Sequence, residues 1–137
     1  METRAAINKL PPTQRRKEPT PESKVKRAVI KYLRFKQWFV EINTQGPFTQ
    51  GKLRGRPDLQ ACKRGLVVMV EVKRPARWEN GKRYPEGKLR PEQVEYIKDL
   101  VDHKIKVFVT SNAEEFMREL DELGERLWPG ENIKRLC

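Results

Sequence analysis

Apolar residues recur at helical spacing in three segments of the chain. The first segment, residues 21–36, starts with a proline and follows Thr20, a residue suited to the N-cap position. The second begins at Pro91, and the third follows Ser111, with Glu114 three residues later in a capping-box pattern. We therefore expect three helices.

Four segments between these helices have the composition of β-strands. Residues 38–42, 58–62, 66–73 and 105–110 are rich in apolar and β-branched side chains and are bounded by turn residues or by helices. Residues 66–73 are apolar at almost every position, which indicates a central strand buried on both faces. The predicted order is αβββαβα, an α/β fold with a mixed sheet flanked by helices.

The second and third strand segments are close enough in sequence to form a hairpin. With a loop of four residues after Cys62, that residue would lie opposite Val67, and Asp58 would lie opposite Glu71. The Cβ atoms of the two acidic residues would then be about 5 Å apart. Lys73 would project from the same face as Glu71, because residues two apart on a strand share a face.

Two carboxylates that face each other across a ladder repel, and a divalent cation between them would remove the repulsion. Oxygen ligands beside a phosphate substrate suit Mg²⁺ or Mn²⁺. Lys73 would orient or help deprotonate the attacking water and offset charge in the transition state. The alternative is structural, with Asp58 as a turn residue after Pro57 and with Glu71 and Lys73 at an exposed strand end.

The length and net charge of the chain indicate how many domains it has and which class of partner it binds. Its 137 residues are enough for one domain. There are 30 Lys and Arg against 19 Asp and Glu, a net charge of +11, which favours nucleic acid, although a basic surface alone gives the same composition. Residues 1–19 are basic and proline-rich, so we expect a disordered arm before a domain at residues 20–137.

Other functional classes are disfavoured. The sequence has no apolar run of membrane-spanning length and no secretory signal pattern, so we expect an intracellular protein with no membrane partner. Cys62 and Cys137 lack metal-ligand spacing and are expected to be reduced thiols. His103 is the one histidine, which disfavours a His-rich zinc site, and we expect it to cap a helix end rather than to serve a Ser/His/Asp triad.

The motifs together resemble the PD-(D/E)xK nuclease superfamily, and more narrowly its virus-type replication-repair nuclease family (VRR-NUC), over about residues 20–112. The resemblance implies the nuclease core of that superfamily and metal-dependent hydrolysis of phosphodiester bonds. The matching motifs are an acidic residue that opens the first helix, Gly-x-Pro-Asp, Glu-x-Lys at a strand end, and a glutamine on the next helix. In this chain they are Glu22, Gly55-Arg56-Pro57-Asp58, Glu71-Val72-Lys73 and Gln93.

The resemblance implies a role for each of these residues. Asp58 and Glu71 would bind the metal ion together with the backbone carbonyl of Val72, and Lys73 would be the catalytic lysine. Glu22 would reach the metal directly or through water. Its place on the inward stripe of the first helix supports that role, while the alternative is an acid favoured by the helix N-terminus.

The resemblance also has implications for substrate and assembly. Gln93 would hydrogen-bond the attacking water or a phosphate, although glutamine is also an ordinary helix former. Free-standing members of the family, encoded by viruses and bacteria, are typically homodimers, and some cut branched DNA such as four-way (Holliday) junctions. This chain would then be a homodimeric DNA-repair endonuclease in the cytoplasm of a bacterium or a virus-infected cell. Exposed apolar residues such as Trp38, Phe48 or Trp128 could form the dimer contact.

Basic residues flank the motifs in two expected loops, one before Asp58 and one after Lys73. Contacts of such residues with phosphates give binding that is independent of base sequence and sensitive to salt. In the second loop, Trp78 and Tyr84 could stack on an unpaired base or anchor the loop to the body of the protein. The expected DNA-contacting residues are Lys52, Arg54, Arg56, Arg74, Arg77, Lys82, Arg83, Lys88 and Arg90.

Three alternative functions stay open at this point. A non-enzymatic basic DNA-binding protein would need the charge but would have no use for the Asp58, Glu71 and Lys73 group. An RNA-binding or RNA-cleaving protein would use the same backbone contacts. A sequence-specific restriction-type enzyme is disfavoured by the small size, because little chain remains for reading base edges in the major groove.

Overall fold

The computed structural model describes residues 20–43 and 54–130. Within these ranges the chain forms three helices and a mixed four-stranded sheet, in the predicted αβββαβα order with two additional short strands. None of the helices in these ranges has the length and apolar character needed to cross a membrane. The elements are α1 (Pro21–Phe35), β1 (Phe39–Ile42), β2 (Leu59–Lys63), β3 (Leu66–Val72), β4 (Arg77–Glu79), β5 (Lys82–Tyr84), α2 (Pro91–Asp102), β6 (Lys106–Thr110) and α3 (Ala113–Leu127).

Several sequence-based expectations concern residues outside the described ranges. These are the basic arm at residues 1–19, most of the long loop before Asp58, and the individual residues Lys52, Phe48 and Cys137. Cys62, the other cysteine, is a free thiol, as expected.

The sheet has the strand order β1-β2-β3-β6. β1 pairs with β2 and β2 with β3 in antiparallel fashion, whereas β3 and β6 are parallel. Parallel neighbours need a crossover connection, and α2 supplies it. The parallel pair continues past the strand end, because the backbone N–H of Lys73 donates to the carbonyl oxygen of Thr110 over 2.8 Å.

The β2–β3 hairpin has the predicted register, with Cys62 opposite Val67. The connection is tighter than expected, because Lys63 also pairs with Leu66 and only two residues make the turn. Arg64 and Gly65 both have positive φ, +49° and +82°, which is the backbone of a type I′ turn. This turn matches the right-handed twist of the strands and lets the ladder continue to its last residue.

The expectation of an irregular basic loop between β3 and α2 was wrong. β4 and β5 form a separate two-stranded hairpin there. Its turn residues Asn80 and Gly81 have positive φ, +52° and +75°, and Asn-Gly is the strongest short sequence signal for such a turn. The absence of an apolar repeat concealed this hairpin, because both of its strands are mostly exposed.

The main core lies between one face of the sheet and helices α1 and α3. Val68, Val70 and Val72 project from β3 into this core and are fully buried. The opposite face of β3 is buried as well, at Met69 and Glu71, so β3 is the central strand that the sequence predicted. A buried carboxylate in such a strand is an exception, because burying a charged group costs free energy unless a partner compensates it.

Trp38 belongs to this core, so its assignment to an exposed dimer surface was wrong. Its side chain is only 5% exposed and packs edge-to-face on Trp128, with ring centroids 6.0 Å apart. Trp128 itself is partly buried against the core. The two indoles lie far apart in sequence, so local pattern could not reveal that each covers the other.

The capping residues of the helices are those predicted from the sequence, with one exception. Thr20 caps α1 by accepting a hydrogen bond from the Ser23 backbone N–H. His103 ends α2, and its Nδ1 lies 2.7 Å from the carbonyl oxygen of Asp99, as expected for a helix-capping histidine. The cap of α3 is Asn112 rather than the neighbouring serine, because the asparagine side chain accepts from the backbone N–H of the third helical residue.

Candidate active site

A cleft of about 520 Å³ opens where β3 ends and β2 begins. α1 borders it on one side and the first turn of α2 on the other, so residues distant in sequence meet there. Carboxyl ends of parallel strands beside a helix N-terminus are frequent binding sites in α/β folds. The lining residues are Glu22, Lys26, Asn43, Arg56, Asp58, Glu71, Lys73, Arg90 and Gln93.

Two hydrogen bonds link Asp58 to the end of β3, one to Glu71 and one to Val72. The Asp58 backbone N–H donates to Glu71 Oε2 over 3.2 Å. The Val72 backbone N–H donates to Asp58 Oδ2 over 2.8 Å. Asp58 lies one position before the ladder pair of Leu59 and Val70, so the two acidic residues occupy the opposed positions that the register predicted. The main chain of Val72 therefore lies beside both carboxylates, while its side chain fills the core.

Glu71 is buried, with 3% of its surface exposed. Burial and, next in size, the nearby Asp58 carboxylate raise the pKa of Glu71 from its ordinary 4.5 to about 7, although Lys73 acts in the opposite direction. A buried acid with a second acid beside it is a costly arrangement unless a cation compensates it. Perturbed groups of this kind in a cleft cluster at functional sites.

Lys73 and Gln93 complete a hydrogen-bonded network around Glu71. Lys73 Nζ donates to Gln93 Oε1 over 2.7 Å and lies 3.4 Å from Glu71 Oε1. Gln93 Nε2 donates to the same Glu71 oxygen over 3.0 Å. The Gln93 side chain is therefore shared between the acid and the lysine, which fixes the direction of both.

Gln93 also belongs to the N-terminal cap of α2. Its Oε1 accepts from the backbone N–H of Arg90 over 2.9 Å, which is the half of a capping box that the third helical residue supplies. The Oε1 atom is thus occupied by two donors. These contacts make Gln93 a positioning residue, while its contact with water or phosphate stays a prediction.

The glycine of the Gly-Arg-Pro-Asp motif allows a close approach between its loop and α2. A Cβ atom at Gly55 would lie 2.2 Å from the carbonyl oxygen of Glu92, in the first turn of that helix. Asn43 secures the other end of the motif. Its side chain donates to the Pro57 carbonyl over 2.8 Å, and its backbone N–H donates to the Asp58 carbonyl over 2.7 Å.

Helix α1 contributes two side chains to the cleft. Glu22 lies in its first turn and is exposed at the cleft margin. Lys26 lies one turn later on the same face, and its Nζ is 3.8 Å from Asp58 Oδ1. Sequence reasoning missed Lys26 and Asn43. The four-residue spacing from Glu22 was the available signal for Lys26, whereas Asn43 carried none.

The structure divides the expected DNA-contacting residues into groups. Arg56 and Arg90 line the cleft. Arg54 instead lines a neighbouring cavity of about 400 Å³ over the side of α2. Lys52 falls outside the described residues. The remaining members lie on the β4–β5 hairpin or beside its two ends, namely Arg74, Arg77, Lys82, Arg83 and Lys88.

The arrangement of acidic side chains bears on whether the cleft could hold a metal ion. Across residues 20–43 and 54–130, no cluster of three or more His, Cys, Asp or Glu side chains has an arrangement that could hold a metal ion. The cleft has the neighbouring residues Asp58 and Glu71, with Glu22 at its margin, rather than three acidic groups gathered at one point. Comparison with protein-family models, with curated proteins and with solved structures finds no match to this chain.

Proposed function

We propose that this chain is a divalent-metal-dependent DNA endonuclease of the VRR-NUC type, with its active site in the cleft. The observation that carries the proposal is the network of Asp58, Glu71, Lys73 and Gln93. In an open cleft, a buried acid is joined to a lysine by an ion pair, to Gln93 by a hydrogen bond, and to the backbone of a second acid by another. The net charge of +11 supports a polyanionic substrate.

The donor set fits Mg²⁺ or Mn²⁺. These ions are commonly bound through one or two carboxylates with water and substrate phosphate filling the other positions, so a third acidic ligand is unnecessary. Asp58 and Glu71 would hold the ion, with the Val72 carbonyl beside them and with Glu22 acting directly or through water. Asp58 Oδ1 lies 3.8 Å from Lys26 Nζ, and the Asp58 side chain is 27% exposed, so a cation in solution can reach it. When bound, the ion would neutralise the acidic pair and activate water and the phosphoryl group.

The side chains of the chain itself have separate tasks in this proposal. Lys73 is held toward Glu71 by Gln93, so its ammonium group faces the position where charge develops on the phosphate oxygens. The same group can exchange a proton with the attacking water. Arg56 and Arg90, at the cleft margin, would bind the flanking phosphates and align the scissile bond.

Branched DNA is the substrate we propose. Base-edge reading needs an element that enters the major groove, whereas in the described part of the chain Arg56 and Arg90 line a cleft and three further cations lie on a short hairpin. Geometry of the DNA would then provide the selectivity. A homodimer would present two clefts at a fixed spacing, which suits two symmetric cuts at a four-way junction.

Cleavage of a synthetic four-way junction tests this proposal. Wild-type protein with Mg²⁺ or Mn²⁺ should introduce paired nicks near the branch point and cut linear duplex of the same sequence more slowly. Glu71→Ala and Lys73→Ala should abolish most turnover. Arg118→Ala, an exposed change on α3 away from the cleft, is the matched control and should cut normally.

The outcomes of this experiment also separate the alternatives. Undiminished cleavage in excess EDTA would exclude the metal mechanism. Binding without any cleavage would favour a non-enzymatic DNA-binding protein, and faster cleavage of RNA would favour an RNA-directed enzyme. A recurring cut sequence in linear duplex would favour a restriction-type enzyme.

A further inference from the structure

The β4–β5 hairpin has two faces of different character. Its register pairs Trp78 with Arg83, Arg77 with Tyr84, and a glutamate with a lysine nearer the turn. Cross-strand partners share a face, and neighbouring residues on a strand alternate between faces. Trp78 and Arg83 therefore lie on one face. The other four strand residues lie on the opposite face, namely Arg77, Glu79, Lys82 and Tyr84.

The face that carries Tyr84 is occupied by contacts within the hairpin. Arg77 and Lys82 lie over the Tyr84 ring, 5.0 Å and 5.4 Å from its centroid. Arg77 also pairs with Glu79 over 3.4 Å. The Tyr84 ring is thus engaged by cations of the hairpin itself, whereas Trp78 has different surroundings.

Trp78 is exposed on the other face of the hairpin. Its side chain is 73% exposed, although tryptophan is usually largely buried. Arg83 is the cross-strand partner of Trp78 on this face, and the hairpin as a whole carries three cationic side chains against one carboxylate. A flat aromatic surface among cations suits a nucleobase attached to a phosphate backbone.

The hairpin is held next to the candidate active site. It begins shortly after Lys73, and the Gly87 backbone N–H donates to the Arg74 carbonyl over 2.8 Å across its base. A Cβ atom at Gly87 would lie 3.2 Å from the Arg74 backbone nitrogen, so the two ends of the segment are in close contact. Whatever the exposed indole binds is thereby kept near the cleft.

We infer that Trp78 stacks on an unpaired base of the DNA substrate while Arg83 contacts an adjacent phosphate. This inference rests on the proposed function and names the feature of the substrate that the site would recognise. Paired bases present their flat faces only at duplex ends, so stacking selects single-stranded gaps, flaps and open junction centres. Trp78 would then determine specificity without taking part in hydrolysis.

Binding without hydrolysis tests the inference. Wild type, Trp78→Ala and Trp78→Phe are compared in EDTA by fluorescence anisotropy on a labelled duplex and on the same duplex with a short single-stranded gap. Wild type and Trp78→Phe should prefer the gapped DNA, and Trp78→Ala should bind it about 10-fold more weakly with little change on intact duplex. Phe39→Ala, which removes an equally exposed aromatic ring from β1, is the control and should bind like wild type.

A second readout reports stacking directly. The fluorescence of 2-aminopurine in the gap should be quenched by wild type and by Trp78→Phe, but not by Trp78→Ala. If Trp78→Ala keeps the full gap preference and quenching, the inference is rejected even where metal-dependent cleavage is found. If the wild type prefers gapped DNA through Trp78 but never cleaves with metal, the inference stands and the proposed nuclease function fails. If the wild type binds neither DNA and Trp78→Ala instead abolishes self-association, the indole binds protein and the inference is rejected.

Discussion

The backbone N–H of Asp58 donates to Glu71 Oε2 over 3.2 Å, so the main chain of one acid holds the carboxylate of the other. A second hydrogen bond runs in the opposite direction, because the Val72 backbone N–H donates to Asp58 Oδ2. The two carboxylates are therefore positioned by backbone before any cation is present. This preorganisation reduces the free energy needed to assemble a metal site.

The stability of the metal-free protein should depend on the ionisation of Glu71. Its pKa is raised to about 7 in the folded protein, against an ordinary 4.5. Between these values the folded state keeps a proton that the unfolded state releases, so the stabilising contribution is present below the lower value and is lost as the pH rises through the upper one. Wild type should lose stability relative to Glu71→Gln between about pH 5 and pH 8 in urea unfolding. If the free energy of unfolding changes equally with pH in both proteins, the raised pKa of Glu71 is contradicted.

Gln93→Ala should weaken both the fold and the site. The substitution removes the acceptor for Lys73 and for the Arg90 N–H, and the donor to Glu71. We expect a loss of about 1–3 kcal/mol in the free energy of unfolding, measured with urea. The kcat for cleavage should fall because Lys73 loses its orientation, whereas the affinity for DNA should change little. Glu95→Ala, an exposed change on the same helix, should have little effect on either quantity.

Gly55→Ala should displace the loop that carries Asp58 from α2. The added methyl group would lie 2.2 Å from a backbone carbonyl oxygen, which no side-chain rotation can relieve. We expect marked destabilisation and loss of most cleavage. Gly124→Ala provides the contrast, because its site in α3 has open space and alanine favours a helix, so it should stabilise the protein by about 0.5–1 kcal/mol. Thermal unfolding of the two variants in parallel measures the difference.

Asp58→Asn should separate DNA binding from cleavage. The amide oxygen can still accept from the Val72 N–H, but the negative charge toward the phosphate is removed and Lys26 loses its ionic partner. Affinity for DNA in EDTA should rise by about 1 kcal/mol or less, while metal-dependent cleavage should disappear. Filter binding and a cleavage assay on the same preparation provide the measurement. Weaker binding than wild type would show that DNA does not approach this carboxylate.

The parts of the fold and of the candidate site that could be predicted depend on residues close together in sequence. The continuous run of apolar residues predicted β3, and the hairpin register predicted the opposition of Asp58 and Glu71. The β4–β5 hairpin was missed because exposed strands lack an apolar repeat, even though its Asn-Gly turn was visible. Lys26 and Asn43 reach the cleft only through the packing of α1 and β1 beside β2, which is a tertiary relationship.

The parallel pairing of β3 with β6 determines when the cleft is complete during synthesis. Lys73 is fixed by a backbone bond to Thr110, and β6 joins the sheet only after the α2 crossover has been made. A growing chain on the ribosome therefore contains both acids and the lysine before it can arrange them. Long-range parallel contacts also form slowly compared with local ones. The proposed nuclease activity would thus be absent until β6 has been synthesised and has joined the sheet, which would protect the nucleic acids that surround the growing chain.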